Sequence, residues 1–158
     1  MSIINKGNGP WENPVEGLHL AVCVDQIDRG WVQGAYGERH MLELRWQLAD
    51  LMEDGRPYLV QRRFNATMNE KGNLRPFLVG WRGEAFKAEA LQNFEEETLV
   101  GKLCQLTIIH KEGQDGRIWA NVVSAVPAPK GAVLTPKDYI RVRDREEHVP
   151  IEDEGPTF

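Results

Sequence analysis

Apolar and polar residues alternate in several separate segments of this 158-residue chain, and this period of two is the feature that most restricts its fold. Successive side chains of a β-strand point to opposite faces, so alternation is typical of a strand with one buried face. The segments that predict strands are residues 18–28, 39–48, 58–68, 102–111 and 117–126. Between the third and fourth segments the apolar spacing changes to three and four, which predicts short helices at residues 73–81 and 85–94. We therefore expect a mainly β domain with a helical link.

The individual strands differ in how regular they are. One face of the first predicted strand carries Leu18, Leu20, Val22 and Val24. The second strand places Leu42, Leu44, Trp46 and Leu48 on one face, and Glu43, Arg45 and Gln47 on the other. In the third strand Arg62 interrupts an apolar row, a conflict that a β-bulge would resolve. A loop with glycines at positions 30, 34 and 37 is expected between the first two strands.

Five short strands with a helical link between the third and fourth follow the strand plan of an OB-fold barrel, and this is the predicted fold. Residues 18–126 form the predicted OB-fold-like domain, and residues 1–17 an irregular N-terminal lead-in. Five prolines follow residue 126, which predicts a Pro-containing linker at 127–143 and an irregular acidic interaction tail at 144–158.

The net charge of −5 is concentrated in this tail, where six acidic residues face one basic residue. The preceding 143 residues are balanced. Acidic blocks of this kind often act as interaction tails. The acidic isoelectric point therefore does not argue against nucleic-acid binding by the body of the chain.

No phosphate-binding glycine loop, metalloprotease motif or nucleophile elbow is found in the sequence, so we predict no enzyme and no cofactor. Two cysteines, Cys23 and Cys104, cannot build a disulfide framework, and no apolar run is long enough to cross a membrane, so a cytoplasmic protein is expected. Both thiols are predicted to be buried in the core. The alternative is a zinc site shared with His19 or His110.

Basic and aromatic residues converge on one predicted surface. Single strands of nucleic acid are bound by basic grooves with aromatic side chains on which bases stack. In an OB-fold the outer face of the second and third strands, with the first and last hairpin loops, forms that groove. The candidate contacts are Arg29, Trp31 and Tyr36 in the first loop, Arg39, Arg45 and Arg63 on the strands, and Lys111, Arg117 and Trp119 at the last hairpin.

The end of the tail predicts a second kind of contact. Glu152, Asp153 and Glu154 precede a terminal Phe158, and an acidic peptide with a terminal aromatic ring can dock into an apolar pocket with a basic rim. The same charges can occupy the basic groove when DNA is absent, which would lower DNA affinity. The alternative is a tail that only improves solubility.

The tail resembles that of the single-stranded-DNA-binding proteins of bacteria and phages. The body resembles small phage and prophage proteins with an OB-like fold, through the stretches EGLHLAVC (16–23), MEDGRPY (52–58), WRGEAF (81–86), LVGKLCQLTIIH (99–110) and GRIWANVVSAVPAPKG (116–131). This resemblance implies a role in phage DNA replication or recombination inside a bacterial host cell, with replication or recombination proteins as partners of the tail.

Three functions are compatible with the sequence. The first is an OB-fold module that binds single-stranded DNA without base specificity and presents its tail to partner proteins. The second is an interaction adaptor that modulates a replication or host protein without binding DNA. The third, which the absence of a catalytic motif makes the least favoured, is a metal-dependent nuclease. The sequence leaves open whether the chain forms a homo-oligomer.

Overall fold

The computed structural model describes residues 12–35 and 37–145, which form one antiparallel sheet with a short helical insertion. The strands are β1 (Gly17–Gly34), β2 (Gly37–Leu51), β3 (Pro57–Asn65), β4 (Leu103–Glu112) and β5 (Ile118–Val126). Helices α1 (Leu74–Arg82) and α2 (Ala88–Gln92) and a 3₁₀ turn (Glu96–Leu99) lie between β3 and β4, and a second 3₁₀ turn (Val142–Asp144) follows β5. The predicted mainly β chain with a helical link is confirmed.

The sheet has the strand order β3-β2-β1-β4-β5, so β1 pairs with both β2 and β4, and β3 and β5 form its edges. Arg62 links these edges, since its Nη1 donates hydrogen bonds to the carbonyl oxygens of Val122 at 3.3 Å and Val123 at 3.0 Å. The β2–β3 register runs without a shift past Arg62, so the bulge considered for this position is not present. The guanidinium instead lies over the ring of Phe64, 4.8 Å from its centre, and burial lowers the pKa of Arg62.

The core lies on one side of this curved sheet and beneath helix α1. Trp46 and Phe64 are fully buried there, as the alternation predicts, and Phe77 and Trp81 of α1 pack against them. From β1, the residues in this cluster are Ala21 and Cys23. Val22 points to the opposite face of the sheet and is also fully buried.

The loop expected between the first two strands is instead a β-hairpin, and this part of the prediction is wrong. Trp31 pairs with His40 and Gly34 with Gly37, so the ladder runs to the tip. The glycines serve bulge and turn positions: Gly30, with φ of 72°, follows a shift in register, and Gly37, with φ of 114°, closes the tip. Helix α1 is the longest helix described, with nine residues, and no helix in the described ranges is long and apolar enough to cross a membrane.

Candidate nucleic-acid interface

The carboxylate of Glu43 is the centre of the outer face of β1–β3. It lies on the side of β2 opposite the core residues, yet it is fully buried. Arg29 Nε and Arg63 Nε donate hydrogen bonds to Oε1 at 2.9 and 3.0 Å, and Arg45 Nε donates to Oε2 at 2.7 Å. Three predicted nucleic-acid contacts therefore meet at one carboxylate.

Local strand geometry explains this convergence. Arg63 lies directly across the ladder from Glu43, and Arg45 follows Glu43 by two residues on the same face of β2. Arg29 is the extra residue where the register shifts between Asp28 and Gly30, and a bulge of this kind re-aims a side chain.

Electrostatics keep this group charged. Burial raises the pKa of Glu43, but hydrogen bonds from Arg29 and Arg45 and their positive charges outweigh it, so the pKa lies below its usual value. Arg63 is the most accessible of the three arginines, with 53% of its side chain exposed, whereas Arg45 is only 14% exposed. Arg63 and the partly exposed Arg29 can therefore also contact a phosphate, and Arg45 mainly holds Glu43.

A C-terminal segment, here named the strap (Lys137–Arg145), lies across the same face. Gln47 Nε2 donates to the Lys137 carbonyl oxygen at 2.9 Å, and the Lys137 amide donates to Gln47 Oε1 at 2.8 Å. Asp25, almost fully buried on β1, accepts hydrogen bonds from Tyr139 Oη at 2.7 Å, Arg141 Nε at 2.6 Å and the Val142 amide at 2.9 Å. Part of the segment predicted as a linker is thus bound to the sheet.

The strap joins the group around Glu43 to a third carboxylate. Arg45 Nη1 donates to Tyr139 Oη at 3.4 Å, and Arg141 binds Glu97 through two nitrogens at 2.7 and 3.0 Å. Hydrogen bonds from Arg141 and Gln26 lower the pKa of Glu97 to about 2. We call the resulting set the charge network; it contains Arg29, Arg45, Arg63, Arg141 and Arg143 with Asp25, Glu43, Glu97 and Asp144.

Sequence reasoning missed Glu43, Asp25, Tyr139 and Arg141 as parts of this surface. Asp25 carried a usable signal, because it is the one charged residue in the segment HLAVCVDQ. A charge in such an apolar strand needs a partner. The partners that it has, Tyr139 and Arg141, are more than 110 residues away in the sequence.

The β1–β2 hairpin carries Trp31, which is more exposed than Trp119, the other predicted aromatic contact among the described residues. Trp31 is 68% exposed and stacks on His40, with ring centres 5.1 Å apart and planes inclined by 25°. His40 alternates with Arg39 along β2, so the stack and Arg39 lie on opposite faces of the hairpin. Arg39 is exposed on the face that also carries Glu43, and Tyr36 lies outside the described residues.

The remaining predicted contacts form a separate group at the tip of the β4–β5 hairpin. Lys111 pairs with Trp119, and the Arg117 guanidinium lies 5.6 Å from the centre of the Trp119 ring. Gly17, at the start of β1, pairs with Ile108, so this tip lies beyond the N-terminal end of β1, whereas the Trp31 hairpin extends its C-terminal end. Pairing therefore places the two groups at opposite ends of β1.

Both cysteine thiols are fully buried in the core. Burial, the largest cause, raises the pKa of Cys23 to about 12 and also raises that of Cys104. The His19 nitrogens contact the Val15 carbonyl oxygen and Asp50. Across residues 12–35 and 37–145, no three His, Cys, Asp or Glu side chains are grouped to hold a metal ion.

The predicted partner contacts Glu152, Asp153, Glu154 and Phe158 lie outside the described residues. No protein-family model matches the sequence, and none of the curated proteins is a significant match.

Proposed function

We propose that this protein binds single-stranded DNA without base specificity, on the outer face of β1–β3, during phage-type replication or recombination. The observation that carries the proposal is the charge network, in which five arginines share four carboxylates and leave a positive surplus of one charge on one face. A polyanion is attracted to such a surface even though the chain as a whole is acidic.

The five-strand antiparallel sheet is compatible with an OB-fold barrel, and we propose that Arg62 holds the seam between its two edge strands. OB-folds bind oligonucleotides on the face of their second and third strands. That is the face on which Arg63 and Glu43 lie.

The exposure of each side chain determines its role in the proposed site. Arg63, Arg29 and Arg39 contact phosphates, and Arg45 positions Glu43. Trp31 lies on the other face of the β1–β2 hairpin, so its ring is available only to a base that passes around the edge of the hairpin. Stacking there contributes about 1–3 kcal/mol for each base. Lys111, Arg117 and Trp119 form an additional contact for strands long enough to pass along β1. The acidic tail, with Glu152 to Glu154 and Phe158, regulates access to DNA and docks replication or recombination proteins.

Titration with a dT oligonucleotide of about 16 nucleotides tests the proposal. The variant is Arg29→Gln combined with Arg63→Gln, and the control Arg75→Gln removes a charge from helix α1, outside the network. We expect the double variant to bind more weakly and to lower the slope of log K against log salt by about 1.4, the value for two phosphate contacts on a single strand. Equal slopes for the double variant and the control would contradict the proposed surface.

A second candidate function is an OB-fold adaptor that modulates a replication or host protein. The β4–β5 hairpin favours it, because Ile109 and Trp119 are exposed there and pairing places them on the same face. Apolar side chains exposed together often mark a protein contact. Absence of oligonucleotide binding by the wild-type chain at low salt would favour this function over the first.

A further inference from the structure

The strap is an additional part of the surface on which DNA binding is proposed. We propose that it forms one wall of the binding site, that Arg143 is a phosphate ligand, and that Arg141 is a positioning residue that holds the wall in place. This inference rests on the proposed function and adds residues that the sequence assigned to a linker.

The hydrogen bonds of the strap oppose its displacement by nucleic acid. Asp25 is a buried carboxylate whose three donors all come from the strap, namely Tyr139, Arg141 and Val142. A phosphate is itself an anion and an acceptor, so it cannot replace these donors. A nucleic-acid strand that displaced the strap and covered Asp25 would leave this carboxylate without a hydrogen-bond donor, which is strongly unfavourable.

Lifting the strap would also remove the positive surplus of the charge network, because three arginines would then face three carboxylates. Arg141 neutralises both Asp25 and Glu97, and without it the two carboxylates would face the incoming phosphates. Like charges brought together at an interface suppress binding. With the strap in place, Arg141 pairs with both carboxylates, so the strap reduces their repulsion of a bound nucleic-acid strand.

Arg143 has the exposure and the bonding capacity that a phosphate ligand needs. Its side chain is 62% exposed, and its nitrogens lie 3.7 Å from Glu97 and 3.9 Å from Asp144. Both distances are too long for hydrogen bonds, so within the described residues its donors remain available for a phosphate. Arg63 and Arg143 mark the two ends of the charge network, and two strand spacings, about 10 Å, separate β3 from β1 alone. The two arginines can therefore hold different phosphates of one strand.

Arg143→Gln in the full-length chain tests the phosphate contact. With the same dT oligonucleotide, we expect affinity to fall roughly threefold to tenfold and the salt slope to fall by about 0.7. Arg75→Gln is the matched control, and Arg63→Gln reports separately on the proposed function. Equal affinity and slope for Arg143→Gln and Arg75→Gln would overturn the inference, while a loss with Arg63→Gln would leave the proposed function standing.

Arg141→Gln distinguishes a wall from a cover. If the strap is a wall, Arg141→Gln leaves the charges of Asp25 and Glu97 unpaired, so it weakens DNA binding more than Arg143→Gln does. It also lowers the salt slope, whereas partial unfolding alone would leave that slope unchanged. Near-ultraviolet circular dichroism verifies that the variant is folded. Tighter binding by folded Arg141→Gln would show that the strap covers the site and would overturn the inference. No binding by the wild-type chain would overturn the inference and the proposed function together.

Discussion

Replacing Glu43 with glutamine tests the centre of the charge network most directly. The substitution keeps the shape of the side chain but removes the charge that three arginines share. A hydrogen bond to a charged group contributes roughly 1 kcal/mol more than a neutral one. Glutamine keeps only one acceptor oxygen, so two bonds weaken by about 1 kcal/mol each and the third is lost at a cost of about 1.5 kcal/mol. Solvent screening at the half-exposed Arg63 reduces the expected loss in free energy of unfolding to about 3 kcal/mol.

Urea denaturation measures this loss, with Glu38→Gln as the control because Glu38 is an exposed carboxylate on the same strand. The control is expected to change the free energy of unfolding by less than about 0.5 kcal/mol. A similarly small change for Glu43→Gln would refute the view that Glu43 holds the arginines together.

Glu43→Gln should strengthen the proposed DNA binding although it lowers the stability of the fold. Without the Glu43 charge, Arg29 and Arg63 present more positive charge to solvent, so oligonucleotide binding should tighten while stability falls. Weaker binding by folded Glu43→Gln would mean that the arginines must be held in place by the carboxylate to meet phosphates.

Three further predictions concern stability and reactivity. Hydrogen bonds hold the pKa of Glu97 at about 2, below its ordinary value of 4.5, so its contribution to stability is complete above pH 4.5 and is lost as the pH falls towards 2. Glu97→Gln should therefore lose less stability than wild type between pH 5 and 3. Equal dependence of the free energy of unfolding on pH in the two proteins would contradict this. A Cβ at Gly80 would lie 2.7 Å from the carbonyl oxygen of Ala125. Gly80→Ala should therefore destabilise the fold by about 1–3 kcal/mol, despite the better helix propensity of alanine. An unchanged midpoint of urea denaturation would count against the packing of α1 on β5. Cys23 and Cys104 should resist a thiol reagent at pH 8 until the chain is unfolded, since both are buried with raised pKa values; rapid labelling of the native protein would disprove this.

Much of the fold could be predicted because local sequence determines strand and helix periods. The rows around Trp46 and Phe64 identify the core face of β2 and β3 correctly. Alternation finds β1 but does not show which of its faces meets the core, since Val22 on one face and Cys23 on the other are both buried. The glycines near Trp31 suggested a loop because glycine serves bulges, turns and coil alike.

The candidate site was only partly predictable, for a different physical reason. Arg45 and Arg63 follow from alternation, because each lies opposite an apolar row. Their shared partner Glu43 looked like an ordinary solvent-facing residue, and only the assembled sheet buries it. The strap could not be foreseen, because Tyr139 and Arg141 lie in a segment without periodicity.

The distance along the chain between Asp25 and the strap has a consequence for folding during synthesis. Tyr139 lies 114 residues after Asp25, and the Val142 amide 117 residues after it. A growing chain whose five strands have all left the ribosome still lacks these donors, so Asp25 must stay hydrated or unpaired until the strap emerges. During synthesis, docking of the strap on Asp25 therefore follows the emergence of all five strands.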